Sequence, residues 1–212
     1  DLSPSNRATL GGMVNTDACG KGSRIYGRTS DHVLALSCVL SNGETLELVP
    51  LDEDKLSAYK QKSGIVGEVF KVVDQIVLEK ADLIEEVFPK MSRFMTGYNL
   101  AKVYGNSEKN FNLNYLLSGS EGTLAVVSEL KLRLTALPKY KRLLVVKYEH
   151  FDDALRDAQI LVENDPAAIE TIDEKILSLA KEDEIYLKIK DFIVDEKQKS
   201  GKKTRKTRTI SL

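Results

Sequence analysis

Cysteine and histidine are scarce in this chain of 212 residues, and each shortage excludes a class of chemistry. Cys19 and Cys38 cannot build a disulfide framework, and they form no Cys-x-x-Cys pair for metal or redox work. They fit a reducing, cytoplasmic setting. His32 and His150 alone leave a Ser-His-Asp triad and a metal centre unsupported, so no metal ligand is assigned. Charge of one sign is also missing: a net charge of -1 gives no whole-chain reason to expect nucleic acid or a membrane surface as partner. No apolar run approaches the roughly 18 to 20 residues needed to span a bilayer. The opening Asp1-Leu-Ser-Pro is no signal peptide, and the first residue is not Met. The chain is therefore expected to be a piece of something longer.

What the sequence does hold is glycine, concentrated in two places. Residues 9–27 carry five glycines among Asn, Thr, Ser and Asp, a composition that builds neither helix nor strand. Glycine lets another backbone or a ligand approach closely, so the stretch describes a loop that wraps something, and a cofactor is the expected occupant. Ser118-Gly-Ser-Glu-Gly-Thr-Leu124 is a second loop of the same character. Two such loops can clasp one ligand.

Between and beyond them the chain alternates element types. Residues 33–40 have the length and apolarity of a strand, and 45–49 alternate as a second one. Asn42-Gly43 between them predicts a hairpin whose two turn residues both take positive φ. Residues 53–88 follow helical period, with Ile65, Val66, Val69, Val73, Ile76 and Val77 on one stripe and Leu83, Ile84 and Val87 continuing it. Gly64 and Gly67 weaken its start and Pro89 ends it. Residues 91–112 are irregular and polar. From Glu129 to Leu134 apolar and charged residues alternate as in a strand with one wet face.

A new unit is expected from about 139: strand 142–148, helix 152–163, strand 167–172 and helix 173–180, with Asp152, Asp165 and Asp173 at cap or turn positions. A β-α-β-α series of this length expects partner strands elsewhere. Residues 195–212 are basic and almost devoid of apolar side chains until Ile210, which predicts disorder.

Familiar catalytic templates do not fit. Gly20-Lys-Gly lacks the third glycine of a dinucleotide fingerprint, Lys21 is followed by Gly22 where a P-loop needs Ser or Thr, and Ser118 stands where a nucleophile elbow needs glycine. His32 beside Asp31 suits a turn or cap, and His150 a solvated structural place.

The residues Gly11-Gly-Met-Val-Asn-Thr-Asp-Ala-Cys-Gly20, Tyr26-Gly27 with Asp31, Ser41-Asn-Gly-Glu44, Thr96-Gly-Tyr-Asn-Leu100 and Gly119-Ser-Glu-Gly-Thr-Leu124 occur in an order that resembles FAD-linked oxidases of the vanillyl-alcohol oxidase class, with PCMH-type FAD-binding domains. Within that class the chain is most similar to bacterial FAD and iron-sulfur D-2-hydroxyacid dehydrogenases of the D-2-hydroxyglutarate or D-lactate type. The resemblance runs from residue 1 to about 193. It implies an α+β fold: residues 1–138 as the second subdomain of an FAD-binding domain, with a mixed or antiparallel sheet and flanking helices, and 139–194 as the start of an α/β cap over the substrate.

The same resemblance implies that Thr9, Gly11, Gly12, Thr16, Asp17, Ala18, Cys19, Gly20, Tyr26 and Gly27 lie along the flavin and its ribityl-phosphate arm. Glu121, Gly122, Thr123, Leu124, Val126 and Val127 would lie at its other end. Thr96 matches a threonine that contacts substrate in relatives. Arg93 stands one position closer to it than the usual carboxylate-binding arginine, so a surface role for Arg93 has equal weight. No residue of this chain is assigned as the catalytic base. The pyrophosphate loop, most of the cap and the cysteines for iron-sulfur are not in this sequence, so the fragment is expected to hold FAD weakly or not at all and to show no turnover. The implied partner is a small 2-hydroxyacid, with an unknown electron acceptor, no nucleic acid, no transmembrane segment and self-association through uncovered apolar faces. A non-catalytic nucleotide-binding or assembly module is the alternative, and binding of nucleic acid by the basic tail a third reading.

Overall fold

The computed structural model describes residues 4, 6–91, 97–105, 110–184, 186–188 and 209–211. The chain divides into two units, Asp1–Ala136 and Leu137–Leu212, and each combines helices with antiparallel strands in an α+β architecture.

The first unit is built on a three-stranded antiparallel sheet. Strand β1 (Val33–Val39) lies in the middle, flanked by β2 (Thr45–Leu48) and β3 (Val126–Leu132). The most continuously apolar strand takes the central place, with Leu36 and Cys38 fully buried. Strand β2 alternates as a half-buried strand should, hiding Leu46 and Leu48 and exposing Thr45 and Glu47. In β3 the pairing runs Ser37 to Glu129 and then Cys38 to Val127, so Ser128 is bulged out. The inward residues are accordingly Val127, then Leu130 and Leu132, which is why regular alternation in the sequence starts only at Glu129.

The predicted hairpin forms, with a different turn. Leu40 N–H donates to Glu44 O and Gly43 N–H to Leu40 O, each at 2.9 Å, and Gly43 alone takes positive φ, +85°. This is a three-residue loop ending in a left-handed glycine rather than a two-residue turn. Asn42 keeps ordinary φ and uses its side-chain oxygen to accept from Glu44 N–H at 3.0 Å.

The long helical stretch is divided into α3 (Glu53–Lys60), α4 (Gly64–Glu79) and α5 (Ala81–Val87), which follow two short helices near the N-terminus, α1 (Leu10–Asn15) and α2 (Ser23–Tyr26). Asp52 caps α3 by accepting from Lys55 N–H at 2.9 Å. The buried face of α4 is Val66, Phe70, Asp74 and Val77, while Ile76 turns outward. Leu56, Phe70 and Phe111 join the sheet residues in one core, each buried side chain contributing about 1.5 to 3 kcal/mol. The charged member of that face is fully engaged: the Asp74 carboxylate accepts from the Tyr104 hydroxyl and pairs with the Lys60 ammonium. Short α6 (Asn114–Leu117) precedes the second glycine loop.

The second unit runs β4 (Val146–Tyr148), α7 (Phe151–Leu161), β5 (Thr171–Ile172), α8 (Glu174–Ala180) and β6 (Thr209–Ser211). Strands β4 and β5 both pair antiparallel with β6, so they run in the same direction. Asp173 caps α8, accepting from Ile176 N–H at 2.8 Å, and Asp165 takes the left-handed conformation after α7. Asp152 lies in the first turn of α7 instead of capping it; His150, exposed, stands at that cap. Residues 195–208 and Leu212 of the basic tail lie outside the described residues.

Candidate functional site

The two glycine loops meet. Gly119 N–H donates to Val14 O and Glu121 N–H to Asn15 O, both at 2.9 Å, stitching the second loop to the end of α1. Helix α1 is fixed at both ends: Thr9 Oγ1 accepts from Gly12 N–H at 3.2 Å, and Thr16 Oγ1 donates to Gly12 O at 2.9 Å. At Gly119, φ is +86°, and a Cβ would stand 3.2 Å from the Cβ of Asp17 and 3.3 Å from Gly97 O. Close approach therefore requires glycine there.

These contacts leave a cavity of about 390 Å³ within the first unit. Thr16, Asp17 and Arg28 form one wall, Gly97 and Tyr98 a second, and Gly119, Ser120, Glu121 and Thr123 the third. Asp17 is the node of the first wall. Its backbone is left-handed at φ +43°, Oδ1 accepts from Ser30 N–H at 2.8 Å, and Oδ2 lies 3.3 Å from Arg28 Nη1, with both side chains almost wholly buried. The ion pair neutralises both charges where water cannot. Thr29 adds two bonds to Ala18 O, from N–H at 3.1 Å and from Oγ1 at 2.7 Å. Asp31 accepts from Arg28 N–H at 2.9 Å, and His32 Nε2 contacts Tyr26 O at 2.6 Å. The Asp31-His32 pair thus serves the turn, as its sequence position suggests.

Around this cavity the chain buries polar atoms without satisfying them. Among the described residues, Asn15 Oδ1, Ser30 Oγ, Ser118 Oγ and Ser120 Oγ have no hydrogen-bond partner, and neither do the side-chain amides of Asn99 and Asn114. Buried polar groups are nearly always paired, so each such atom asks for an explanation. A ligand or ordered water in the cavity supplies one for Ser120, which lines it. A wider opening of about 440 Å³ beside β2 and the α3–α4 turn has no such atoms on its walls; there Lys62 places its ammonium 3.7 Å above the Tyr59 ring.

The sequence-predicted residues fall into three groups. Thr16, Asp17, Glu121 and Thr123 stand on the cavity wall, with Gly122 at the exposed tip beside them. Thr9, Gly11 and Gly12 belong to α1 and its cap, and Ala18, Cys19, Gly20, Tyr26 and Gly27 shape the first loop. Leu124 and Val126 are exposed, while Val127 is half-buried in β3. Arg93 and Thr96 lie outside the described residues. The cavity adds Arg28, Gly97, Tyr98, Gly119 and Ser120. All but Arg28 stood inside the quoted motifs; Arg28 could have been found as a basic residue set in a small-residue loop that also carries one acid, Asp17.

Residues 1–49, which hold the first loop and most of the hairpin, match the family described as FAD binding domain. The chain is 45% identical over 195 residues to the D-2-hydroxyglutarate dehydrogenase of Escherichia coli K12, covering 92% of this chain and 19% of that protein. The chain as a whole is thus similar to D-2-hydroxyglutarate dehydrogenases, and its first 49 residues to an FAD binding domain. Its identity to the D-2-hydroxyglutarate dehydrogenase of Pseudomonas putida is 46% over 192 residues, covering 91% of this chain and 19% of the relative. A more distant relative, the glycolate oxidase subunit GlcD of Bacillus subtilis, is 26% identical over 191 residues, 89% of this chain and 29% of its own length. The chain thus spans about a fifth of the length of the dehydrogenases it matches. No helix among the described residues is long and apolar enough to cross a membrane.

The cavity residues fit FAD on chemical grounds. Small side chains and hydroxyls, a neutralised charge pair and an unsatisfied buried hydroxyl suit a long polar ligand that needs many hydrogen bonds and little charge.

Proposed function

We propose that this chain forms part of the FAD cradle of an enzyme that oxidises a D-2-hydroxyacid, a small 2-hydroxyglutarate-like or lactate-like acid, to the 2-oxoacid. Residues 1–138 would supply the cradle and 139–194 the beginning of the cap. The observation that carries this reading is the pair of backbone hydrogen bonds, from Gly119 to Val14 and from Glu121 to Asn15, that closes two glycine loops on one cavity.

Bound FAD supplies a hydride acceptor for the substrate C2. The chain's own part is to hold and orient. Thr9, Gly11 and Gly12 set the direction of α1 toward the loops, and Thr16 and Asp17 face the ligand. Asp17 and Arg28 neutralise each other, so the first loop can pack closely without presenting an unpaired charge. Glu121, Gly122 and Thr123 close the opposite side, with Leu124, Val126 and Val127 leading away into β3. Arg93 and Thr96 would meet the substrate carboxylate and its neighbourhood. No described residue of this chain stands out as a proton acceptor. The iron-sulfur cluster and the electron acceptor belong to the remainder of such an enzyme. Free Cys19 and Cys38 support a reducing cytoplasmic setting.

The test is a flavin titration of the 212-residue chain, read by quenching of FAD fluorescence and by the visible absorption bands. Weak, saturable binding is expected, lost in the Gly119→Val, Gly122→Val double variant and accompanied by no turnover of D-2-hydroxyglutarate or D-lactate. Saturable binding that survives unchanged in the double variant of a folded chain overturns the cradle reading; no binding by the folded chain means that the cradle needs its missing half.

A further inference from the structure

Tyr98, Thr123 and Ser120 form a short hydrogen-bonded chain on the cavity wall. Thr123 Oγ1 lies 2.5 Å from Ser120 O and 2.7 Å from Tyr98 Oη. A carbonyl oxygen can only accept, so the single hydroxyl proton of Thr123 goes to Ser120 O. Tyr98 must then donate its own proton to Thr123. The direction of both bonds follows from counting protons.

Two consequences follow. The chain ends at a carbonyl, so it cannot pass a proton onward. The Tyr98 hydroxyl, its one proton committed, keeps lone pairs with which it can only accept. Tyr98 is 44% exposed and lines the cavity, so that oxygen is within reach of a ligand. Ser120, the terminus of the chain, is itself 2% exposed with an unpartnered Oγ in the same wall. The contact also ties two segments 25 residues apart, one within the irregular stretch 91–112 and the other forming the second glycine loop.

Resting on the cradle reading above, we propose that Tyr98 is a ligand-binding residue that accepts a hydrogen bond from an O–H or N–H of bound flavin, and that Thr123 is the positioning residue that orients it. In the ligand the donor is either a ribityl hydroxyl or the ring N–H. A flavin that offers neither gains nothing from Tyr98.

The experiment is a fluorescence titration of the full chain and its variants with riboflavin and with lumiflavin, which lacks the ribityl arm. Tyr98→Phe removes the acceptor and is expected to weaken riboflavin binding by roughly three- to tenfold, the span of one neutral hydrogen bond. Thr123→Val removes the proton sink, frees the Tyr98 hydroxyl to rotate, and is expected to weaken binding to a similar extent. Thr123→Ser keeps the sink and restores wild-type affinity, which a packing role for the threonine methyl would not predict. The double variant Tyr98→Phe, Thr123→Val is expected to be no weaker than the worse single variant, because both act at one contact. Loss confined to riboflavin assigns the donor to the ribityl arm; equal loss for lumiflavin assigns it to the ring. Wild-type binding that Tyr98→Phe leaves unchanged, or single-variant effects that add in the double variant, overturns the proposal while leaving the cradle standing. Absence of riboflavin binding by the folded wild-type chain overturns this inference, since the contact is then not made by this chain.

Discussion

Two regions of the first unit bury polar side chains in opposite ways. Beneath α4, Asp74 is 4% exposed and both of its oxygens are engaged, one by the Tyr104 hydroxyl and the other by the Lys60 ammonium. Around the glycine loops, Asn99, Asn114, Ser118 and Ser120 are as deeply buried and their side-chain atoms have no partner among the described residues. A buried carboxylate with partners joins α3, α4 and the segment before Phe111 into one piece, since removing any member leaves the others stranded. Buried hydroxyls and amides without partners contribute nothing of that kind. The difference separates side chains satisfied within the protein, which add to its stability, from side chains that find no partner among the described residues.

The largest expected effect comes from breaking the satisfied side. Asp74→Ala strands the Tyr104 hydroxyl and the Lys60 ammonium, and should cost about 2 kcal/mol in a urea unfolding experiment. That is below the full value for a wholly buried pair because Lys60 is about a third exposed. A loss under roughly 0.5 kcal/mol would show that the network is incidental.

An intermediate effect appears with pH. Burial first, then the hydrogen bond to Asp74 and its negative charge, hold the Tyr104 hydroxyl well above the usual tyrosine range of about 10. The folded-state value is the raised one, so the protonated phenol favours folding. That stability is fully present below about pH 10 and is lost as pH climbs toward the folded-state value. Tyr148 shares the direction, pushed up to about 12 by desolvation and its bond to Asp157, so the contribution of Tyr104 is isolated by comparison. Urea midpoints at pH 9 and pH 11 should fall more steeply for the wild-type chain than for Asp74→Asn, which removes the charge. Absorbance titration at 295 nm should show one tyrosine ionising earlier in the variant. Parallel slopes would separate Tyr104 from Asp74.

How much of this was legible in the sequence depends on the range of the interaction. The strands of the hairpin, the cap at Asp173 and the break before Pro89 are local, and spacing and residue type reveal them. The turn at Asn42-Gly43 was legible as a turn but not as to type, because one register step at Glu44 decides whether two or three residues form the loop. The division of 53–88 into three helices falls at residues 61–63, next to Gly64 with its positive φ of +78°, and at Lys80. Gly64 was legible as a weak point, whereas Asp74, on an otherwise apolar face of α4, reads as an interruption until Lys60 and Tyr104 are brought to it. At the site, glycine content points to both segments, although the first is not all loop as its composition suggested: α1 and α2 form within it, α1 tied by the Thr9 cap. Arg28 and Tyr98 are invisible that way, since their roles come from Asp17, 11 residues off, and Thr123, 25 residues off.

The smallest expected effect probes the unsatisfied side and depends on its sign. Ser118 is 1% exposed and its Oγ has no partner among the described residues. Removing a stranded hydroxyl relieves its desolvation cost of roughly 1 to 3 kcal/mol, while the vacated volume of one oxygen returns part of that as lost packing. Ser118→Ala should therefore leave the stability of the ligand-free chain within about 0.5 kcal/mol of wild type, or raise it. The same change at a satisfied hydroxyl would lower it by about 1 kcal/mol. A clear loss would mean that ordered water already completes the hydrogen bonds around the loops, as it does for most buried polar groups that lack protein partners. The two regions would then differ only in whether their partners are protein or water, and the unsatisfied atoms would no longer mark the cavity as a place for a ligand.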